Sequence, residues 1–223
     1  PAKGDLNIFL NIFKTALNFL NSFTTLLFTG DISLESIDLP IYKLYIREHN
    51  IDTLNENLPE SGNKYVPGSL VFDNKTYNVK VRYRGDSRLH WYFPKKSLRI
   101  KLKDHQLLDS SNKFNIINPK YDSHLQTGLG YFIADNFGLL APRDRHVALF
   151  LNNKYAGVYY YTDQIDENFI RMRDHLPGDI FYGDMENASG NTSLFDAGDV
   201  WNVMTTFDNN EERAKATIDF FIK

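Results

Sequence analysis

The sequence predicts an α+β domain, and three observations carry that expectation. Apolar and charged residues alternate with period two in several runs between Ile41 and Lys103. An Asn152-Asn153 turn signal separates two further apolar runs, and helical periodicity marks both SHLQTGLGYFIADNFG and the closing NNEERAKATIDFFIK. With 223 residues, 42% of them apolar, the chain can fill a core unaided. It has no cysteine, which excludes disulfides and thiolate metal sites but does not locate the protein. Its 25 basic side chains face 28 acidic ones, so it lacks the overall basic excess of a nucleic-acid binder, and no nucleic-acid partner is expected.

Residues 1–30 predict an apolar amphipathic helix. Asn7, Asn11, Lys14, Asn18, Asn21 and Thr25 recur every three or four positions as a narrow polar stripe on a wide apolar remainder. Such a surface needs a cover, and the domain itself, a second copy or a membrane surface are the expected ones. Polar positions at every turn argue against a membrane span. Residues 31–223 hold the main domain. IYKLYIRE reads as its first strand and residues 50–68, with two Pro and two Gly, as loop. YNVKVRYR (77–84) and SLRIKLK (97–103) then read as an antiparallel pair. Val79, Val81, Tyr83, Leu98, Ile100 and Leu102 lie on its apolar side, with residues 85–96 as its connection. A helix over 123–138 follows, with Ser123 as N-cap and Gly138 past its end, then the Asn152-Asn153 hairpin and a short helix over 166–173. Pro177 to Gly198 is a stretch rich in Gly, Asp and Asn. The start at Pro1 and the uncapped helical stop at Lys223 predict an interrupted chain.

One local feature stands out from the acidic background. RYRGDSRLHWYFPKKSLRIKL (82–102) holds four Arg and three Lys against the single acid Asp86. Three readings compete for it. Solvated strand faces account for Lys80, Lys101 and Lys103, which also deter aggregation. An anion site would use Arg84, Lys95, Lys96 and Arg99 at the loop end of the hairpin, where Gly85 permits a tight bend and close approach of a phosphate. Arg84-Gly85-Asp86 also matches a common cell-adhesion tripeptide, but nothing around it predicts a protruding loop.

The residues become more specific in series. Arg84-Gly85-Asp86-Ser87, Pro94-Lys95-Lys96-Ser97 with Arg99, Ala141-Pro142-Arg143-Asp144-Arg145, and the Asn152, Tyr155, Gly157, Val158, Tyr159 hairpin with Gln164-Ile165-Asp166 resemble, in order, the blocks of the CotH kinase-like family of atypical protein kinases. The resemblance implies a reduced protein-kinase fold, in which an antiparallel sheet lobe and a helical lobe hold ATP and Mg2+ and pass phosphate to Ser or Thr of a protein substrate. It implies a nucleotide site of Arg84, Gly85, Ser87, Lys95, Lys96, Arg99, Tyr161 and Gln164, with Lys96 or Arg99 on the phosphates. Parity counted back from Arg99 puts Lys95 on the basic face and Lys96 on the core side, unless a bend at Pro94 reverses them. Asp163 stands where the family often shows glutamate.

The carboxylates that the chemistry needs are harder to find. The resemblance places them beyond the Gln-Ile-Asp block, behind a helix that ATIDFFIK only begins, so the helical lobe is expected to be incomplete here. Asp196, Asp199 and Asp208 are chemical candidates whose Gly and Asn neighbours make them turn residues instead. Asp166 reads as an N-cap, and His90, His105, His124, His146 and His175 have no metal-ligand spacing. Asn74, Asn187 and Asn191 fit the glycosylation pattern, which matters only in a eukaryotic secretory setting. The expected function is the ATP-binding portion of such a kinase. The rival is a non-catalytic adhesion or coat scaffold of the same fold, and the envelope, surface or spore coat is the expected location.

Overall fold

A computed structural model describes residues 37–85, 90, 93–119, 125–183 and 201–222. The expected N-terminal helix, Ser87, Ser123, His124, Asn187, Asn191, Asp196 and Asp199 lie outside these residues. Leu39–Lys223 forms one compact unit. Its main feature is a closed barrel with the strand order β1-β2-β3-β4-β5-β7-β6. In sequence these strands are β1 (Ile41–Tyr45), β2 (Val66–Phe72), β3 (Lys75–Tyr83), β4 (Leu98–Leu102), β5 (Lys113–Ile117), β6 (Asp144–Leu151) and β7 (Lys154–Asp163). All neighbours pair antiparallel except β1 and β6, whose parallel ladder closes the barrel with Ile41 opposite Ala148.

Alternation dictates the barrel interior. Tyr42 and Leu44, Val79 and Val81, and Ile100 point inward with no exposed surface, joined by Phe114 from β5 and Leu149 from β6. Each such side chain contributes roughly 1.5–3 kcal/mol through burial. Tyr42 ties the layers together by stacking on Phe72 at 4.6 Å and meeting Phe114 and Tyr161 edge-on or tilted at 6.2 Å. The Arg145 guanidinium donates to the Tyr42 hydroxyl at 2.8 Å and pairs with Asp109, lying over the Tyr161 ring.

Among the described residues four helices accompany the strands: α1 (Glu48–Asn55), α2 (Leu125–Asn136), α3 (Glu167–Arg171) and α4 (Glu211–Ile222). A separate two-stranded sheet pairs β8 (Ile180–Gly183) with β9 (Trp201–Thr205). The class is α+β, with a strand-rich core and few helices. Among the described residues no helix is long and apolar enough to cross a membrane.

The β3–β4 pair, the Asn152-Asn153 turn and the α2 and α3 helices stand where the sequence places them. Residues 50–68 differ. Instead of a loop they hold most of α1, a short 3-10 turn at Ser61–Asn63, and the start of β2. Pro67 and Gly68 mask the strand, yet both are tolerated because the β1 ladder reaches back only to Ser69. A Cβ on Gly68 would stand 2.9 Å from the Tyr45 carbonyl oxygen, so a side chain there would separate the strands. The β5 strand also escapes the sequence reading. Phe114 to Ile117 are all buried, so KFNII shows no alternation. The Gly-, Asp- and Asn-rich stretch from Pro177 includes β8.

Candidate functional site

The strand register arranges the basic residues as a grid on the barrel's outer face. Lys80 lies opposite Lys101, which lies opposite Lys113; one row along, Arg82 lies opposite Arg99, which lies opposite Asn115. Like charges directly opposite each other destabilise a sheet, and the neighbours offset part of that repulsion. Lys113 pairs with Asp166 at 2.8 Å, and Arg82 donates to Asn63 Oδ1 at 2.6 Å while lying over the Tyr65 ring. Arg99 Nε donates to Asn115 Oδ1 at 3.0 Å, and Asn115 Nδ2 donates to Gln164 Oε1 at 3.3 Å. This string of groups runs from the basic grid to the point where the chain leaves β7. Beside it a cleft of about 510 Å³ opens among Lys101, Asn112, Lys113, Asp166, Arg171 and Thr205.

The lysine pair behaves differently from the grid. Below Leu98 the chain bends at Phe93–Lys95, so strand parity no longer applies. Lys95 Nζ donates to the Val158 carbonyl at 2.7 Å and lies 4.5 Å from the Tyr159 ring centre. Lys96 Nζ donates to the Phe93 carbonyl at 3.0 Å and lies over the Tyr83 ring. Both tyrosines face the interior, so both lysines gather at the barrel mouth; parity alone had divided them between the two faces. Burial pushes the Lys95 ammonium down to about 8 and lowers Lys96 as well.

Ser97, fully buried, organises the mouth. Its N–H donates to the His90 carbonyl, its carbonyl accepts from the Arg84 N–H, and its Oγ accepts from the Asn118 N–H at 3.0 Å and meets His90 Nδ1 at 3.1 Å. Gly85 has φ +102, and a Cβ there would fall 2.1 Å from the His90 ring, so glycine is required on both counts.

Where β7 ends, Asp163 is buried and accepts from Arg143 Nε at 2.8 Å and Arg143 Nη2 at 3.1 Å, with Arg173 3.8 Å away. The Tyr161 hydroxyl donates to the same carboxylate. Asp166 accepts from the Phe169 N–H and so caps α3, as the sequence predicts. Asp208 accepts from the Asn210 N–H and pairs with Arg213, which also holds Asp179; this is the turn role expected of it.

The expected site residues therefore fall into separate sets. Arg99 and Gln164 share the outer face through Asn115, whereas Arg84, Gly85, Lys95 and Lys96 gather at the barrel mouth. The Tyr161 ring is 1% exposed inside the barrel and its main chain lies in the ladders to both β5 and β6, so strand packing accounts for this residue. Sequence reasoning missed Lys113 and Asn115, and set Lys101 aside as a solubility charge. The signal for Asn115 was an amide inside an otherwise apolar run.

A family model described as CotH kinase protein matches residues 81–222. The chain belongs to the CotH kinase family. The matched span includes every motif block from Arg84 to Asp166, while β1 and β2 precede it and still complete the barrel of this CotH-family chain. A more distant similarity is to the inner spore coat protein H of Bacillus subtilis (strain 168), 23% identical over 154 residues. That alignment covers 68% of this chain and 41% of the relative, so the CotH-family chain aligns with less than half of that protein's length.

Proposed function

We propose that this chain is the nucleotide-binding portion of a CotH-type protein kinase that passes the γ-phosphate of ATP to Ser or Thr of a protein, acting at a spore coat or cell envelope. The observation that carries the reading is the string Arg99–Asn115–Gln164, which joins a strand-face cation to an amide at the exit of β7. An arginine fork suits a phosphate and a carboxamide suits a base edge, so a nucleotide laid along the string would meet both. Basic residues on the β3–β4 pair, close in sequence to the motif blocks that resemble the family, support the same reading. In this reading Arg84, the Gly85 backbone and Lys96 close over the phosphates, with Lys95 beside them; Ser87, expected in the same site, lies outside the described residues.

Mg2+ fits less well. Among the described residues no three His, Asp or Glu side chains group as a metal site, and Asp163, Asp166 and Asp208 are engaged with Arg143, Lys113 and Arg213. No metal-dependent step is assigned to them. The second reading is a coat scaffold that keeps the fold without the transfer.

Calorimetric titration with ATP separates the two readings. Arg99→Ala and Lys96→Ala should each weaken ATP binding by roughly tenfold or more, the scale of one charge-assisted hydrogen bond. Unchanged affinity in both variants, or no affinity in the native chain, would favour the scaffold.

A further inference from the structure

Lys95 and Lys96 each donate to a carbonyl and lie over a tyrosine ring, yet Lys96 reaches a carbonyl of its own segment, Phe93, whereas Lys95 reaches Val158 on β7. The β5 strand ends at Ile117, opposite Tyr160. Had the ladder continued, Val158 would have faced Pro119, which has no N–H to donate. Lys95 Nζ donates to that Val158 carbonyl instead.

The approach is open because the β6–β7 register slips at Ala156 and residue 157 is glycine with φ +104. A Cβ on Gly157 would stand 3.2 Å from Lys95 Nζ. At its other end the Lys95 carbonyl accepts from Asn118 Nδ2 at 2.7 Å. The residue is thus held by its main chain near the end of β5 and by its ammonium on β7. A carbonyl and an aromatic face meet that ammonium where a carboxylate would ordinarily be expected.

We propose that Lys95 is a positioning residue that fastens the Phe93–Ser97 limb across the gap between β5 and β7, leaving Lys96 and Arg99 to meet an anion. The fastening is a property of the free chain; only the division of labour between the lysines rests on the nucleotide reading.

Its pH dependence follows from linkage. The fastened amine titrates near 8, whereas an exposed lysine titrates at about 10.4, so the fastened limb binds fewer protons between those values and is favoured as pH rises. The titratable groups facing it are the Tyr159 phenol on β7, with Tyr83 beyond it on β3, and Lys96 and His90 on its own limb.

The test is pulsed amide hydrogen exchange on the whole chain without ligand, each rate normalised to its unstructured value. Lys95→Ala should speed exchange at Lys96 and Ser97 by about tenfold or more, and Lys96→Ala should change exchange at Ser97 by less than about twofold. Native protection should rise from pH 7.5 to about 9.5. In Lys95→Met, which keeps the stem over Tyr159 without the amine, it should stay flat. In titrations, Lys95→Ala should weaken ATP by about threefold, through the loosened limb, and Lys96→Ala by about tenfold or more. Unchanged exchange in Lys95→Ala, or native protection that does not change between pH 7.5 and about 9.5, would overturn the proposal. If the native chain binds no ATP, the functional reading fails, and the exchange experiment alone decides the role of Lys95.

Discussion

Asp163 shows how a single side chain can secure the exit from the barrel. Its carboxylate is buried, and two nitrogens of Arg143 and the Tyr161 hydroxyl converge on it. Arg173 approaches the same carboxylate and also donates to the Ala141 carbonyl. The Ala-Pro-Arg block before β6 and the residues after β7 are thereby tied together through one group. Removing one member of a buried pair costs more than the pair contributes, because the remaining charge stays buried. Asp163→Asn should lower unfolding stability by about 2–4 kcal/mol in urea titrations, the lower end reflecting the partial exposure of Arg143. A loss under about 0.5 kcal/mol would mean that Arg143 finds water as readily as it found Asp163.

At the scale of elements, the turns carry as much information as the strands. Asp73 and Asn74 join β2 to β3 with φ of 48 and 55, and Asn152 and Asn153 join β6 to β7 with φ of 49 and 67. Both are two-residue turns with positive φ at each position, the form whose twist matches the flanking strands. Asn74 tolerates this conformation and glycine prefers it, so Asn74→Gly should raise the melting temperature by a few degrees, consistent with roughly 0.5–1 kcal/mol. Asn152 is not replaceable in the same way, because its side chain accepts from the Ile46 N–H and donates to the Ile46 carbonyl, extending β1 by a false rung.

Legibility in the sequence followed the number of covered faces. The β3–β4 pair has one face buried and one charged, so its period of two and its antiparallel pairing could be read directly. Strand β5 is covered on both sides and β2 has Pro67 and Gly68 directly after its first residue, Val66, so neither displays that period. The site was legible to the same degree. Arg99 and Gln164 could be named as residues, but the amide that joins them sits in the strand that could not be read. Lys95 could be named as a cation, but the carbonyl that holds it is defined only once the ends of β5 and β7 are known.

At the scale of the whole molecule, the barrel extends beyond the family match. Residues 81–222 contain β4 to β7 but only the end of β3, whereas β1 and β2 bring Tyr42, Leu44 and Leu70 to the interior, none with any exposed surface. A chain trimmed to residues 81–222 should therefore fail to show a cooperative thermal transition, while residues 37–222 should retain one. A sharp transition from the shorter chain would mean that the remaining strands repack without their partners.

The parallel ladder between β1 and β6 has one further consequence, for assembly. A sheet that closes on itself has no outermost strand, so most of its N–H and C=O groups are paired within the molecule and the barrel offers little backbone to a strand from a neighbouring molecule. Among the described residues, the two-stranded sheet of β8 and β9 keeps open edges. If molecules of this kind polymerise into a layer by backbone pairing, that small ribbon is where the seam would form.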